Sequence, residues 1–145
     1  MVTTESKLTD LTIYHNKILE LASKNKTSVE IADYNRETEL KNPLCGDLVS
    51  IRLNLQNHNI HDLSAKVKGC ALCEASAGLL VDLYKKKKLP ITNFMPVFES
   101  WLSKEEEKFP SILPKELEIF LPIQDIKNRH TCIKMPFRAL FKLLD

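Results

Sequence analysis

An alternating stretch from Leu48 to Leu55 limits the folds open to this 145-residue chain more than any other feature. Every second residue is apolar, which predicts a strand with one buried face and one polar face. A second stretch, Ile60 to Val67, alternates more weakly after a polar turn at Gln56–Asn59. Because so short a connection joins antiparallel neighbours, the two stretches predict a β-hairpin.

Apolar residues recur at helical spacing on both sides of this hairpin. We predict helices at Leu8–Ser23, Cys70–Lys85, Pro90–Leu102, Lys115–Leu121 and Cys132–Leu144. Thr9 or Thr12 is the expected cap of the first helix, and Pro136 is expected near the first turn of the last. We interpret Ser28–Leu40 as a loop with an edge strand near Val29–Ala32. The sequence therefore predicts an α+β fold, in which a small antiparallel sheet packs against several helices.

Composition and charge indicate one soluble domain, residues 1–145. Hydrophobic residues make up 43% of the chain and charged residues 28%, and this length can bury a core. A net charge of +2 creates no strong field for nucleic acid or a membrane surface. We see no apolar run long enough to span a bilayer and no signal-peptide order, so we expect a cytoplasmic protein. In that compartment its four cysteines are expected to bind metal or react rather than form disulfides.

Two cysteines open predicted helices. Cys70 and Cys132 would each meet the free N–H groups and the positive dipole end of a helix, which stabilise a thiolate. Arg129 adds a positive charge three residues before Cys132. The sequence therefore predicts low-pKa thiolates, which bind zinc or iron and attack sulfur electrophiles.

Cys45 and Asp47 flank a glycine, and a tight turn there lets both side chains face one ion. Together with Cys70 and Cys132 they would form a tetrahedral Zn²⁺ site with bonds of about 2.0–2.3 Å. Because a carboxylate oxygen is the hard member of this set, we expect Asp47 to exchange most readily and the site to open. A cysteine also serves as a small buried hydrophobe, and that alternative stays open for each one taken alone.

Cys73 and His130 are further candidates. Cys73 completes a C-x-x-C pair with Cys70, but the second pair of a zinc ribbon is missing from the sequence. A ligand or redox role and a place in the core therefore stay open for Cys73. His130 is the best histidine candidate because it lies two residues before Cys132. The other histidines are expected to be solvated: His15, His58 and His61.

These motifs together resemble the NifU-like (IscU/SufU) family of iron–sulfur cluster assembly proteins. The matching pieces are Asn42-Pro43-x-Cys45-Gly46-Asp47, Gly69-Cys70-Ala71-x-x-x-Ala75-Ser76, and Arg129-x-x-Cys132 before an apolar helix. The SufU branch is the most similar, since an inserted segment at Ile91–Leu121 lengthens the interval between the second and third cysteines. Thr131 also stands where the IscU branch has a histidine.

The resemblance implies that Cys45, Asp47, Cys70 and Cys132 bind Zn²⁺. It also implies that Cys45 or a neighbour takes persulfide sulfur from a cysteine desulfurase, as a sulfurtransferase would. A second hypothesis is a scaffold that assembles a [2Fe–2S] cluster on the three cysteines and passes it to downstream assembly or acceptor proteins. A third is a structural zinc-binding interaction domain. Two features depart from the family: Cys73, and the segment from Lys24 to Glu39.

Overall fold

The computed structural model describes residues 4–44, 46–89 and 93–144, with side chains from Thr12 onward. The elements are α1 (Thr4–Lys26), β1 (Arg36–Lys41), β2 (Leu48–Gln56), β3 (Asn59–Lys68), α2 (Ala71–Lys85), α3 (Phe94–Leu102), two 3₁₀ segments (Lys115–Asp125 and Lys127–Arg129) and α4 (His130–Leu144). The predicted α+β fold is confirmed. Within the described ranges, no helix has the length and hydrophobicity needed to cross a membrane.

The predicted hairpin is also confirmed. β2 pairs antiparallel with β3, and β1 pairs antiparallel with the other edge of β2. Asn57 and His58 form the turn with φ angles of 52° and 64°, the left-handed values that two-residue hairpin loops require. α4 packs on β1 and β2 while α2 packs on β3, and together they cover the sheet's apolar face. The β2 residues on that face are fully buried: Val49, Ile51 and Leu53.

The edge strand lies later in the chain than predicted. The sequence pattern indicated Val29–Ala32, whereas the strand is β1. Val29–Ala32 instead crosses the polar face of the sheet, where the Ile31 N–H donates to Ser64 Oγ at 3.1 Å. Arg52 donates to the Ile31 carbonyl at 3.0 Å. β1 alternates charged residues with partly buried ones, and this weak hydrophobic contrast explains why the pattern did not reveal it.

Helix α1 starts earlier than predicted and crosses α2 closely. It begins at Thr4, so Thr9 and Thr12 lie inside the helix and do not cap it. A β-carbon added at Gly78 of α2 would lie 2.8 Å from the carbonyl oxygen of Leu21 in α1. A glycine at this crossing therefore lets the two backbones approach.

A buried amide fixes the first turn of α2. Asn25, at the end of α1, donates from Nδ2 to the Ala65 carbonyl at 3.0 Å and to the Glu74 carboxylate at 2.5 Å. Asn25 and Glu74 are both buried. Because buried polar groups are costly unless they are bonded, these contacts hold α1, β3 and the start of α2 in one arrangement.

The C-terminal helices also differ from prediction at their boundaries. Pro90 lies outside the described residues, and α3 begins at Phe94. The predicted helix Lys115–Leu121 is a 3₁₀ segment that continues through Pro122. α4 begins at His130, so Pro136 lies in its second turn, further inside the helix than expected.

The aromatic stripe of α3 belongs to the core, as predicted. Five side chains form what we call the aromatic layer, which joins α3 to α4: Phe94, Phe98, Trp101, Phe137 and Phe141. Phe98 is fully buried, with its ring centroid 5.3 Å from that of Phe94 and 5.8 Å from that of Phe137. The layer holds α4, whose first turn carries Cys132.

Candidate metal centre

Three distant segments bring potential metal ligands together at one end of the sheet. Asp47 comes from the loop before β2, Cys70 from the junction of β3 and α2, and Cys132 from the first turn of α4. One ligand atom from each of these side chains lies within 4.8 Å of the other two. We call this group the Asp47–Cys70–Cys132 cluster. Cys45 lies outside the described residues.

The loop before β2 is shaped by Asn42 and Gly46. The Asn42 N–H donates to the Asp47 carbonyl at 2.8 Å, and the Gly46 N–H donates to the Asn42 carbonyl at 2.7 Å. The Asn42 side chain accepts from the Leu44 N–H at 3.0 Å. Gly46 has a φ of 77°, a conformation that glycine adopts without strain. These contacts turn the chain so that Asp47 enters the protein, where it is only 4% exposed.

Asp47 and Cys70 contact each other twice. The Cys70 N–H donates to Asp47 Oδ1 at 3.1 Å, and the Cys70 thiol lies 3.4 Å from Oδ2. Cys70 is the N-cap residue of α2, so the bonded N–H lies at the start of that helix. A carboxylate is stabilised there by the helix dipole as well as by the hydrogen bond.

The pKa of the Cys132 thiol differs from the expectation based on the sequence. Burial, followed by the interactions with Asp47 and Cys70, raises the pKa of the Cys132 thiol above its ordinary value. The predicted low-pKa thiolate at the start of α4 is therefore wrong for the metal-free protein, because desolvation outweighs the helix dipole. Arg129 is exposed. A cation at the cluster would favour the ionised thiol.

Cys73 and His130 lie outside the cluster. Cys73 is fully buried, and desolvation raises the pKa of its thiol. His130 is 8% exposed, and its Nε2 lies 2.9 Å from the Ile123 carbonyl and 3.2 Å from that of Gln124. Because carbonyls only accept hydrogen bonds, this nitrogen carries a proton and is not offered to a metal.

The donor set of the cluster fits zinc. Bonds of about 2.0–2.3 Å place tetrahedral ligand atoms about 3.3–3.8 Å apart. The three side chains would therefore need to move only slightly closer together to bind one ion. Two thiols and a buried carboxylate are soft and hard ligands that Zn²⁺ accepts together. Asn42 is a supporting residue whose role the sequence does not reveal, although it stands in the first motif.

Comparison with protein families gives one match over most of the chain. The family described as NifU-like N terminal domain matches residues 13–132. That range contains Asp47, Cys70 and Cys132.

Two curated relatives are similar in sequence. The zinc-dependent sulfurtransferase SufU of Bacillus subtilis (strain 168) is 23% identical over 131 residues, which cover 90% of this chain and 88% of that protein. The iron–sulfur cluster assembly scaffold protein IscU of Streptococcus pyogenes serotype M1 is 24% identical over 103 residues, covering 70% of this chain and 64% of that protein.

Two solved structures share the fold. A putative iron–sulfur cluster assembly scaffold protein for the SUF system, from Fervidobacterium islandicum AW-1, gives a TM-score of 0.76 at 22% identity, covering 92% of this chain and 98% of that one. The N-terminal part of a NifU-like protein from Brucella abortus gives 0.70 at 23% identity, covering 91% and 92%.

Proposed function

Because the chain belongs to the NifU-like N terminal domain family, we propose that it works in iron–sulfur cluster assembly as a zinc-bound acceptor of persulfide sulfur from a cysteine desulfurase. The observation that carries this proposal is the Asp47–Cys70–Cys132 cluster, with its ligand atoms within 4.8 Å of one another. The sequence similarity to a zinc-dependent sulfurtransferase supports the same reading.

Asp47, Cys70 and Cys132 would hold the zinc ion, and Cys45 would be the fourth ligand. A bound Zn²⁺ supplies positive charge that keeps its thiol ligands deprotonated at neutral pH. The two buried groups, Asp47 and Cys132, are fixed by the loop and by α4, whereas Cys70 is partly exposed. The site is therefore in contact with solvent on the side of Cys70.

Cys45 is the proposed sulfur acceptor. Its thiolate attacks the outer sulfur of the desulfurase persulfide, the S–S bond of that persulfide breaks, and the desulfurase cysteine leaves as a thiolate. Cys45 then carries the persulfide. Because a zinc-bound thiolate is not free to attack, Cys45 would leave the metal on docking, and a side chain of the desulfurase could take its place. Cys73 is fully buried and cannot meet a partner's persulfide without unfolding its surroundings.

Persulfide mapping tests this assignment. The zinc-loaded protein is incubated with a cysteine desulfurase and cysteine, and the added sulfur is located by mass spectrometry. Cys45→Ser should abolish the transferred sulfur, and Cys73→Ser should leave it nearly intact. Label on Cys73 that survives Cys45→Ser would refute the assignment.

A scaffold that assembles and releases a [2Fe–2S] cluster is the second candidate. One hard carboxylate among thiol ligands favours it, because Asp47 would keep a cluster labile. Asp47→Ala should then prolong the lifetime of a bound cluster, whereas in the zinc reading it should weaken metal binding and spare the thiols. Metal analysis and an absorption spectrum of protein purified without added metal separate the two.

A structural zinc-binding interaction domain is the remaining alternative. Such a domain would retain its metal through four fixed ligands and accept no sulfur. In our proposal the whole chain, residues 1–145, is one domain that works in the cytoplasm. It passes sulfur to downstream iron–sulfur assembly or acceptor proteins.

A further inference from the structure

We propose that Gly69 is a positioning residue for the metal centre, because its missing side chain leaves the space that the Asp47 carboxylate occupies. This inference rests on the proposed role of Asp47 as a metal ligand. In this proposal the absence of a side chain at position 69, next to Cys70, allows that carboxylate to reach the metal.

The distances leave no space for a side chain at position 69. A β-carbon on Gly69 would lie 2.3 Å from Asp47 Oδ1, 2.6 Å from Cγ and 3.0 Å from Cβ. All three separations are shorter than van der Waals contact, and the first two involve the carboxylate itself. Since Asp47 is 4% exposed and enters from a hydrogen-bonded loop, its side chain must rotate away if a β-carbon is added.

The two oxygens of the Asp47 carboxylate have different partners, so the orientation of this side chain determines which contacts it makes. Oδ1 accepts the Cys70 N–H at 3.1 Å, while Oδ2 lies beside the Cys70 sulfur at 3.4 Å. Cys70 therefore offers a thiol to the metal and also orients the neighbouring ligand through its own backbone. Rotation of Asp47 would break the Oδ1 bond and withdraw Oδ2 from the cluster.

Gly69→Ala should therefore reproduce the effect of Asp47→Ala while every ligand residue is still present. Loss of an orienting contact around a metal ligand typically lowers metal affinity about 10-fold to 100-fold. We expect a zinc affinity lower by this factor for Gly69→Ala, measured by competition with a chelator. Substitution by Co²⁺ should show a changed visible spectrum, because an oxygen ligand is lost or replaced.

Gly78→Ala is the matched control. A β-carbon at Gly78 meets the Leu21 carbonyl oxygen at 2.8 Å, so this variant also overpacks a close contact. Gly78 lies at the crossing of α1 and α2, two turns along α2 from Cys70. We expect Gly78→Ala to lower the urea midpoint but to leave the zinc affinity and the Co²⁺ spectrum of the folded protein unchanged.

A double-mutant cycle isolates the contact. In the Asp47→Ala background the two closest clashes are gone, so Gly69→Ala should lower zinc affinity less than 3-fold further, in contrast to its full effect beside Asp47. If Gly69→Ala does not fold, the double variant should fold, since the Asp47 carboxylate that the added β-carbon would displace is absent from it. A double variant that also fails to fold would overturn the proposal.

The ligand role of Asp47 and the positioning role of Gly69 predict different failures. If Asp47→Ala leaves zinc affinity and the Co²⁺ spectrum unchanged, the proposed ligand role of Asp47 is wrong. If Asp47→Ala weakens binding but Gly69→Ala does not, the positioning role of Gly69 is wrong and the ligand role stands. Equal spectral changes in Gly69→Ala and Gly78→Ala would also contradict the positioning role.

Discussion

The candidate metal centre and the aromatic layer are built in opposite ways. The Asp47–Cys70–Cys132 cluster joins three segments through a few polar atoms, and one added carbon at Gly69 would lie 2.3 Å from an oxygen of the Asp47 carboxylate. The aromatic layer joins α3 to α4 through several large rings that contact one another at centroid distances of 4.9–6.3 Å.

This difference separates stability from chemistry. Each ring in the layer contributes to the free energy of unfolding through its buried area, and the neighbouring rings contribute in the same way. A side chain in the cluster contributes to metal binding through the position of its ligand atom, and no neighbouring side chain can replace it. We therefore expect changes in the layer to alter the free energy of unfolding and changes around the cluster to alter metal binding. Four predictions test that separation, from the largest expected effect to the smallest.

Phe98→Ala should cause the largest loss of stability. Phe98 is fully buried between Phe94, Trp101 and Phe137, and truncating such a ring costs about 3–5 kcal/mol. Urea unfolding of the metal-free protein measures this loss. The Co²⁺ spectrum of the fraction that remains folded should match the unchanged protein, and a shifted spectrum would show that the two regions are coupled.

His130→Ala tests whether a buried group beside Cys132 belongs to the fold or to the metal centre. The substitution leaves the Ile123 carbonyl without its donor at 2.9 Å and should cost about 1–3 kcal/mol. Zinc content should stay the same. His15→Ala, at an exposed position of α1, is the control and should change neither quantity. Lost zinc in His130→Ala would place the imidazole in the metal site.

The Cys73 thiol should make the metal-free protein less stable at high pH. Burial raises its pKa in the folded protein, while an unfolded thiol ionises near pH ~8.5. The folded state therefore binds more protons above that pH. The associated stability is present below pH ~8.5 and falls by up to about 1.4 kcal/mol per pH unit above it.

Cys73→Ala should remove this part of the pH dependence. Urea unfolding from pH 7 to pH 10 should give curves that run parallel up to pH ~8.5 and then converge as the unchanged protein loses stability faster. Curves that stay parallel to pH 10 would mean that the buried thiol ionises without cost.

Ser76→Ala should have the smallest effect. The Ser76 hydroxyl donates to the Ile133 carbonyl at 2.5 Å and so ties α2 to α4 next to Cys132. One such bond contributes about 0.5–1.5 kcal/mol. We expect a drop of that size in the free energy of unfolding together with a less than 3-fold change in zinc affinity. A larger change in affinity would show that the placement of α4 depends on this bond.

Much of the fold is readable from local sequence. Leu48–Leu55 reveals β2 because its period of two has strong contrast, and the aromatic stripe of α3 reveals a core helix for the same reason. The sequence pattern does not reveal β1, because charged residues fill the exposed positions of that strand. Thr9 and Thr12 lie inside α1 and do not cap it, because a helix start depends on the first bonded turn rather than on one residue type.

The sequence by itself determined which residue types are available for a metal: cysteines spaced far apart, and an aspartate after a glycine. Tertiary structure alone decided that Asp47, Cys70 and Cys132 meet, and that Cys73, one turn from Cys70, lies outside the cluster in the core. It also decided that the thiol of Cys132 resists ionisation and that a hydrogen atom at Gly69 leaves space for a carboxylate. Spacing along a chain specifies chemistry, but distance and desolvation depend on which surfaces pack together.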